Sequence, residues 1–183
     1  MQFSLFGAAA LAPQLADVEG VLVAGGHWVR SGPTARLSVV VDGRGRAEAL
    51  AAAFGERGLA AEVVTADAWL AARTVFSADL STLAEAWTRG AVEGPPPGFA
   101  LTPGGLRLWA IAAGRHDGTG YLLGTPAIDT PVHRAGGAAL ARRGLAAVSV
   151  SRGVVGWRII SAKRLRRLAE LLGPPPGELD WPA

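Results

Sequence analysis

Cysteine is absent from the 183 residues. That excludes a disulfide scaffold, thiolate catalysis and cysteine-ligated zinc or iron–sulfur centres. Lysine occurs once, at Lys163, and with alanine, glycine and arginine heavily used this marks GC-rich coding, a property of the genome and not of the function. No stretch approaches the roughly 18 uninterrupted apolar residues that a membrane span needs. Only 18% of the residues are charged while 50% are hydrophobic, the profile of a globular chain and not of a disordered one. The length suits one full core, or two small half-domains sharing one. The three histidines, His27, His116 and His133, are widely spaced with no carboxylate in a ligand pattern, so no metal site and no cofactor are expected. No Ser–His–acid pattern or nucleophile elbow occurs. Val39 to Arg46 superficially resembles a dinucleotide loop, but Glu48 stands where its third glycine belongs. The apolar stretch Leu5 to Ala12 ends like a signal-peptide cleavage site, yet no Lys or Arg precedes Arg30 and the run is short for a signal. The expected location is the cytoplasm, and the nucleoid if the chain binds DNA.

What charge there is, is unevenly placed. Between Pro131 and Leu172 stand Arg134, Arg142, Arg143, Arg152, Arg158, Lys163, Arg164, Arg166 and Arg167 against the single acid Glu170, a net +8. The rest of the chain carries nine cations and fourteen acids, a net −5. A basic region on an otherwise acidic chain points either to a polyanion partner such as nucleic acid or to a solvated arginine-rich face.

Turn signals divide the chain into elements. Apolar residues at helical spacing predict a helix over Leu11–Ala24, stopping at Gly25-Gly26. A hairpin follows over His27–Ser31 and Arg36–Val41, then a helix over Arg46–Arg57, strands near Ala61–Thr65 and Trp69–Phe76, and a second long helix from Leu80 to about Val92. The same order then recurs: strands over Leu106–Ala113 and Tyr121–Gly124, a helix over Val132–Arg143, strands near Ala147–Ser151 and Gly156–Ile160, and a last helix over Ala162–Leu172. Gly58-Leu59-Ala60-Ala61 and Gly144-Leu145-Ala146-Ala147 each fall just after a helix. The reading is two pseudo-symmetric halves with Leu80–Val92 shared between them. Beyond Pro174 the chain cannot continue a helix and is expected to be extended or disordered. Trp69, Trp109 and Trp157 are expected on strands as core or interface anchors.

Gly20-Val21-Leu22-Val23-Ala24-Gly25-Gly26 resembles the signature helix end of the WhiA family of sporulation regulators, and Arg89-Gly90-Ala91 resembles that family's second signature helix. The run Arg143–Ile160 is similar to its closing helix and hairpin. The resemblance, over about residues 10–173, implies an α+β fold of two tandem LAGLIDADG-like half-domains whose antiparallel sheets form a saddle on duplex DNA. The boundaries are 1–10 for an N-terminal segment, 11–78 and 79–173 for the two repeats, and 174–183 for a proline-rich tail. These residues hold no counterpart of the helix-turn-helix domain that WhiA proteins carry after this region, so autonomous operator recognition is not expected of them.

In active LAGLIDADG endonucleases each signature helix ends on an acidic residue that holds the catalytic divalent metals. The matching positions here are Gly25 and Pro95, which cannot ligate a metal, so the resemblance implies a non-catalytic DNA-binding protein. Glu19 and Glu93 are the catalytic candidates of the minority reading, an active metal-dependent nuclease; otherwise they are solvated or capping carboxylates. A protein-interaction scaffold without DNA binding is the third alternative. The DNA-binding candidates are Arg36, Arg73, Arg107, Arg152 and Arg158 on strands, where alternation puts them opposite the core, and Lys163, Arg164, Arg166 and Arg167 on the last helix. With both half-sites in one chain, the expected state is a monomer. Finally, Gln2-Phe3-Ser4-Leu5-Phe6 resembles the bacterial sliding-clamp-binding motif. Leu5 and Phe6 would fill an apolar pocket on the clamp, with Gln2 at its rim and Phe3 beside it. The same residues could instead form a first strand.

Overall fold

The structure is a computed structural model, and it describes residues 7–8, 11–118 and 120–182. A 3-10 turn over Leu15–Val18 leads directly into α1 (Glu19–Val23). The hairpin β1 (His27–Ser31) and β2 (Thr34–Val41) follows, then α2 (Arg44–Gly55), the hairpin β3 (Ala61–Ala66) and β4 (Trp69–Thr74), and α3 (Ser81–Trp87). A hairpin of two-residue strands, β5 (Thr88–Arg89) and β6 (Val92–Glu93), leads from α3 to α4 (Pro103–Ala113). Then come β7 (Gly114–Asp117) and β8 (Gly120–Gly124), α5 (Pro131–Arg142), β9 (Val148–Val150) and β10 (Gly156–Ile159), and α6 (Ala162–Leu172).

The two four-stranded sheets have the same order, β1-β2-β4-β3 and β7-β8-β10-β9, antiparallel throughout. With six α-helices among the described residues, this is an α+β fold with a repeated helix–strand architecture. One face of each sheet is packed, and the other carries the more exposed side chains, although β8 is buried along its whole length. Along β2 the buried Ala35, Leu37, Val39 and Val41 alternate with the outward Arg36, Ser38 and Val40. In the second sheet Tyr121, Leu123 and Ile159 enter the core.

The centre of that core is the contact between α1 and α4. A Cβ on Gly20 would overlap the backbone carbonyl of Gly105, so the two helices touch backbone to backbone. Around this seam lie Val21, Leu106, Trp109, Leu50 and Phe54, all buried.

Four expectations are corrected. The second central helix is α4 and not Leu80–Val92: α3 ends at Trp87, Thr88 is extended, and Gly90 at φ +65° turns the chain into the β5–β6 hairpin. Leu106–Ala113 is helical and not a strand, because Thr102 accepts a hydrogen bond from the Gly105 N–H at 2.8 Å and Pro103 opens the first turn. Trp109 therefore stands on a helix, with its indole N–H donating to the Gly124 carbonyl at 2.7 Å. The first helix starts later than Leu11, since residues 11–14 are irregular. The tail beyond Pro174 is non-helical but docked: the Trp181 indole N–H donates to the Gly173 carbonyl at 2.8 Å, and the Tyr121 hydroxyl donates to the Asp180 carbonyl at 3.0 Å.

Gly20→Ala is expected to cost about 3 kcal/mol, because the backbones must move apart to admit one methyl. Urea unfolding should show a lowered midpoint with an unchanged slope. A loss under about 0.5 kcal/mol, the scale of a neutral surface change, would mean that the seam is looser than described.

Candidate nucleic-acid interface

The C-terminal ends of α1 and α4 come together at a shallow groove lined by Ala24, Val40, Val41, Asp42, Ala68, Trp69, Ala112, Ala113 and Arg115. Each end closes differently. After Ala24, Gly25 adopts φ +105° and the Gly26 N–H donates back to the Val21 carbonyl at 2.8 Å, so α1 satisfies its own carbonyls. At the end of α4 the guanidinium of Arg46, buried on the first turn of α2, donates to the Ile111 carbonyl at 2.7 Å and to those of Ala110 and Gly114. A cation at a helix C-terminus complements the partial negative charge of its free carbonyls. Asp42 completes the arrangement: it accepts from Arg46 Nε at 2.8 Å and from Arg115 Nη2 at 2.5 Å.

This donor set does not suit a hard divalent cation, which takes several carboxylate or carbonyl oxygens. The helix ends present Ala24, Ala112 and Ala113, and the one carboxylate in the groove is shared between two guanidinium groups. The helix-end position expected at Pro95 is thus replaced by Ala112–Ala113 of α4, while Gly25 keeps its place after α1. Among the described residues no group of three His, Asp or Glu side chains converges as metal ligands would.

Glu19 and Glu93 lie elsewhere. Glu19 opens α1, at the end remote from the groove, and is buried with Oε1 accepting the Trp87 indole N–H at 2.8 Å. Burial raises its pKa above the usual carboxylate value, a rise that the Trp87 hydrogen bond partly offsets. Glu93 is exposed on β6 and accepts the Trp28 backbone N–H at 3.3 Å.

The expected basic residues fall into three settings. Arg36 and Arg73 lie on the open face of the first sheet: Arg36 stacks over the Phe76 ring at 4.7 Å, and Arg73 is paired with Glu62 at 2.7 Å. Arg158 lies on the open face of the second sheet, where it pairs with Asp117. Register places Arg115, Leu122 and Arg158 in one row across β7, β8 and β10. Arg152 is exposed in the β9–β10 turn and not on a strand. Arg107 is on α4: it donates to the carbonyls of Leu172 at 2.6 Å and Pro174 at 2.7 Å, with its guanidinium 5.3 Å from the Trp181 ring centroid. That guanidinium fastens the tail to the helix layer and is not on a sheet face. Lys163, Arg164, Arg166 and Arg167 are exposed along α6. Gln2, Phe3, Leu5 and Phe6 lie outside the described residues.

Sequence reasoning missed Arg46, Arg115 and His133. His133 is the third residue of α5 as Arg46 is of α2. It is buried between the hydroxyls of Thr125 (Nδ1, 2.8 Å) and Ser149 (Nε2, 3.0 Å) and stacks on Trp157 with the rings 4.6 Å apart. Burial lowers its pKa. For Arg46 and His133, the available signal was a basic residue at the third position of α2 and of α5, each just after a hairpin.

Fold and site together define a class: a duplicated α+β architecture with two helices meeting at its centre and a four-stranded antiparallel sheet in each half. Two solved structures share that fold. The full-length DUF199/WhiA protein from Thermotoga maritima matches with a TM-score of 0.60 and 11% identity, over 87% of this chain and 55% of that one. Mesophilic variants of the homing endonuclease I-DmoI match with a TM-score of 0.55 and 11% identity, over 88% of this chain and 96% of that one. This chain therefore spans about half the length of that WhiA protein. No family model and no curated protein matches the sequence.

Because the fold holds Glu19's proton more tightly than the unfolded chain does, this group favours folding at acid pH, and that contribution disappears as pH rises through the folded-state pKa. Glu19→Gln keeps an acceptor for Trp87 and never ionises. Its urea midpoint should exceed that of the parent at pH 8, with the difference shrinking as pH falls below the ordinary value of 4.5. Equal midpoints at pH 8 would contradict the assigned burial effect.

Proposed function

We propose that this chain is a non-catalytic DNA-binding protein that holds duplex DNA against the open faces of its two sheets. The observation that carries this reading is the composition of the helix ends. In a LAGLIDADG-type fold they meet as alanines beside the buried guanidinium of Arg46, where strand scission would need carboxylates. Arg36, Arg73, Arg115 and Arg158 stand on the open faces, with Arg152 exposed at a turn tip. Arg73, Arg115 and Arg158 each keep guanidinium N–H groups beyond those used by their carboxylate partners. Arginines so placed suit phosphate oxygens, whose contacts give affinity without sequence information. The two repeats, proposed at 11–78 and 79–173, let one monomer supply both half-sites.

A gel shift with random duplex should therefore show a complex whose apparent affinity falls by about 100-fold or more between roughly 50 and 200 mM salt, with no strand cleavage when magnesium is added. Arg36→Gln with Arg158→Gln should weaken it by about tenfold. Magnesium-dependent nicking abolished by Glu93→Ala would replace this reading with the nuclease. The absence of any complex at low salt would replace it with the scaffold.

The N-terminal Gln2-Phe3-Ser4-Leu5-Phe6 supports a subordinate proposal, recruitment by the bacterial sliding clamp, and its support is the sequence alone. Leu5→Ala with Phe6→Ala should abolish binding to purified clamp in surface plasmon resonance while leaving the DNA shift unchanged. Retained clamp binding would remove the motif from the proposal.

A further inference from the structure

The cations of α6 are not on the sheet faces. Leu168, Leu171 and Leu172 bury one side of this helix against the core, where it packs on α4. Lys163, Arg164, Arg166 and Arg167 line its other side, on the helical layer of the molecule. Together with Gly144 and Ser161 they form a groove of about 560 Å³, in which Glu170 is the one acid. Among the described residues none of these four cations has a carboxylate partner, whereas Arg73, Arg115 and Arg158 all do. Arg167 Nε donates to the Arg143 carbonyl at 2.9 Å, which holds its guanidinium along the groove.

The helix's own electrostatics make this arrangement unfavourable without an anion. Lys163 and Arg164 sit in the first turn of α6, where the macrodipole already presents positive charge, and no acid offsets them. Ser161, at the N-cap, makes no side-chain capping bond, so the first-turn N–H groups point outward with no partner from it. Four cations, free N–H groups and a concave surface converge on one requirement, a run of closely spaced phosphates. A lipid surface fits less well, because a helix that binds a bilayer must offer an apolar face, and the apolar face of α6 is already buried in the core.

We infer that α6 is a second phosphate-backbone surface, separate from the sheets, through which one chain holds two duplex segments at once. This rests on the proposed DNA binding of the sheet faces. The α6 groove grips the second segment through charge alone and reads no sequence.

The test is a bridging assay, in which bead-bound duplex captures a free fluorescent duplex through added protein, run beside a gel shift. Lys163→Gln, Arg164→Gln and Arg166→Gln are combined in one variant, since all three are exposed and none makes a hydrogen bond within the described residues. The parent should bridge. The triple variant should shift single duplex within about threefold of the parent but bridge at least tenfold less, with bridging less salt-dependent by a slope of about three. Arg36→Gln with Arg158→Gln should also reduce bridging, because both surfaces are needed.

A parent that shifts duplex but does not bridge, or a triple variant that bridges normally, would overturn the second surface and leave the proposed function standing. So would a triple variant that loses the single-duplex shift altogether, since α6 would then be the primary site. Bridging that survives loss of the sheet arginines would point to self-association instead and overturn the inference. Binding to phosphatidylglycerol vesicles that excess duplex fails to displace would do the same in favour of a membrane. A parent that binds no duplex would sink the proposed function itself.

Discussion

Gly20 and Gly105 allow two helices to meet with no side chain between them, and the rest of the molecule is arranged around that contact. α1 is only five residues long, too short to hold its place by packing area alone. It is fixed by closeness, and by what α2 does at both ends of α4, against which it also packs. At one end, Arg57, just past α2, is buried with Asp17 at 2.7 Å, and the Asp17 carboxylate also takes the Gln14 N–H and the Thr102 hydroxyl. At the other, Arg46 covers the last carbonyls of α4. Burying charge is tolerable at both ends because the charges are paired or fully hydrogen-bonded. One helix thus clamps its central neighbour through two arginines eleven positions apart.

The basic character of the chain likewise divides into groups tied up within the fold and groups left to solvent. Arg143 and Arg142 donate to the carbonyls of Leu101 and Phe99, and Arg134 donates to that of Asp129. Burial lowers the pKa of Arg143, with a further push from the nearby positive charge of Arg142. These groups act as ties between segments in the way that backbone hydrogen bonds do elsewhere. Within Pro131–Leu172 the exposed cations without a hydrogen-bonded partner among the described residues are therefore Arg152 and, on α6, Lys163, Arg164 and Arg166. Sequence charge alone could not separate the two populations, because carbonyl acceptors leave no mark in composition.

The strands were legible because alternation is a local property: Arg36-Leu37-Ser38-Val39 reads outward-inward in the sequence and does so in β2. α6 was legible for the corresponding reason, with Leu168, Leu171 and Leu172 on one side. α4 was not. Leu106–Ala113 is nearly all apolar because the helix is buried all round, and such a run carries no periodicity to distinguish it from a buried strand. The informative residues stood just outside it, in Thr102-Pro103, a pair that recurs at Thr130-Pro131 before α5. Mistaking that element displaced the second helix end from Ala112–Ala113 to Pro95. Neither Pro95 nor Ala112–Ala113 is acidic, and the groove's one carboxylate, Asp42, lies beside the helix ends and not on them. The roles of Arg46 and Arg115 remained invisible because the α4 carbonyls that Arg46 covers, and the Asp42 that Arg115 meets, lie more than 60 residues away in sequence.

The repeat also differs from itself in a way that follows from the helix ends. Arg46 and His133 hold equivalent positions in α2 and α5, yet one is a buried cation and the other a buried imidazole whose charged form burial disfavours. The cause is the acceptor each one meets. α4 runs from Ala113 straight into β7 and leaves carbonyls free for a guanidinium. α1 turns back through Gly25 and Gly26 and consumes its own. At position 133 the buried ring meets no row of helix-end carbonyls; it is satisfied by the Thr125 and Ser149 hydroxyls and stacks on Trp157. The two glycines after α1 thus let that helix end close on itself without a cation. They also leave the central groove with its positive charge on the α4 side alone, so a duplex laid across both sheets would meet a polar asymmetry that the matching strand orders do not suggest.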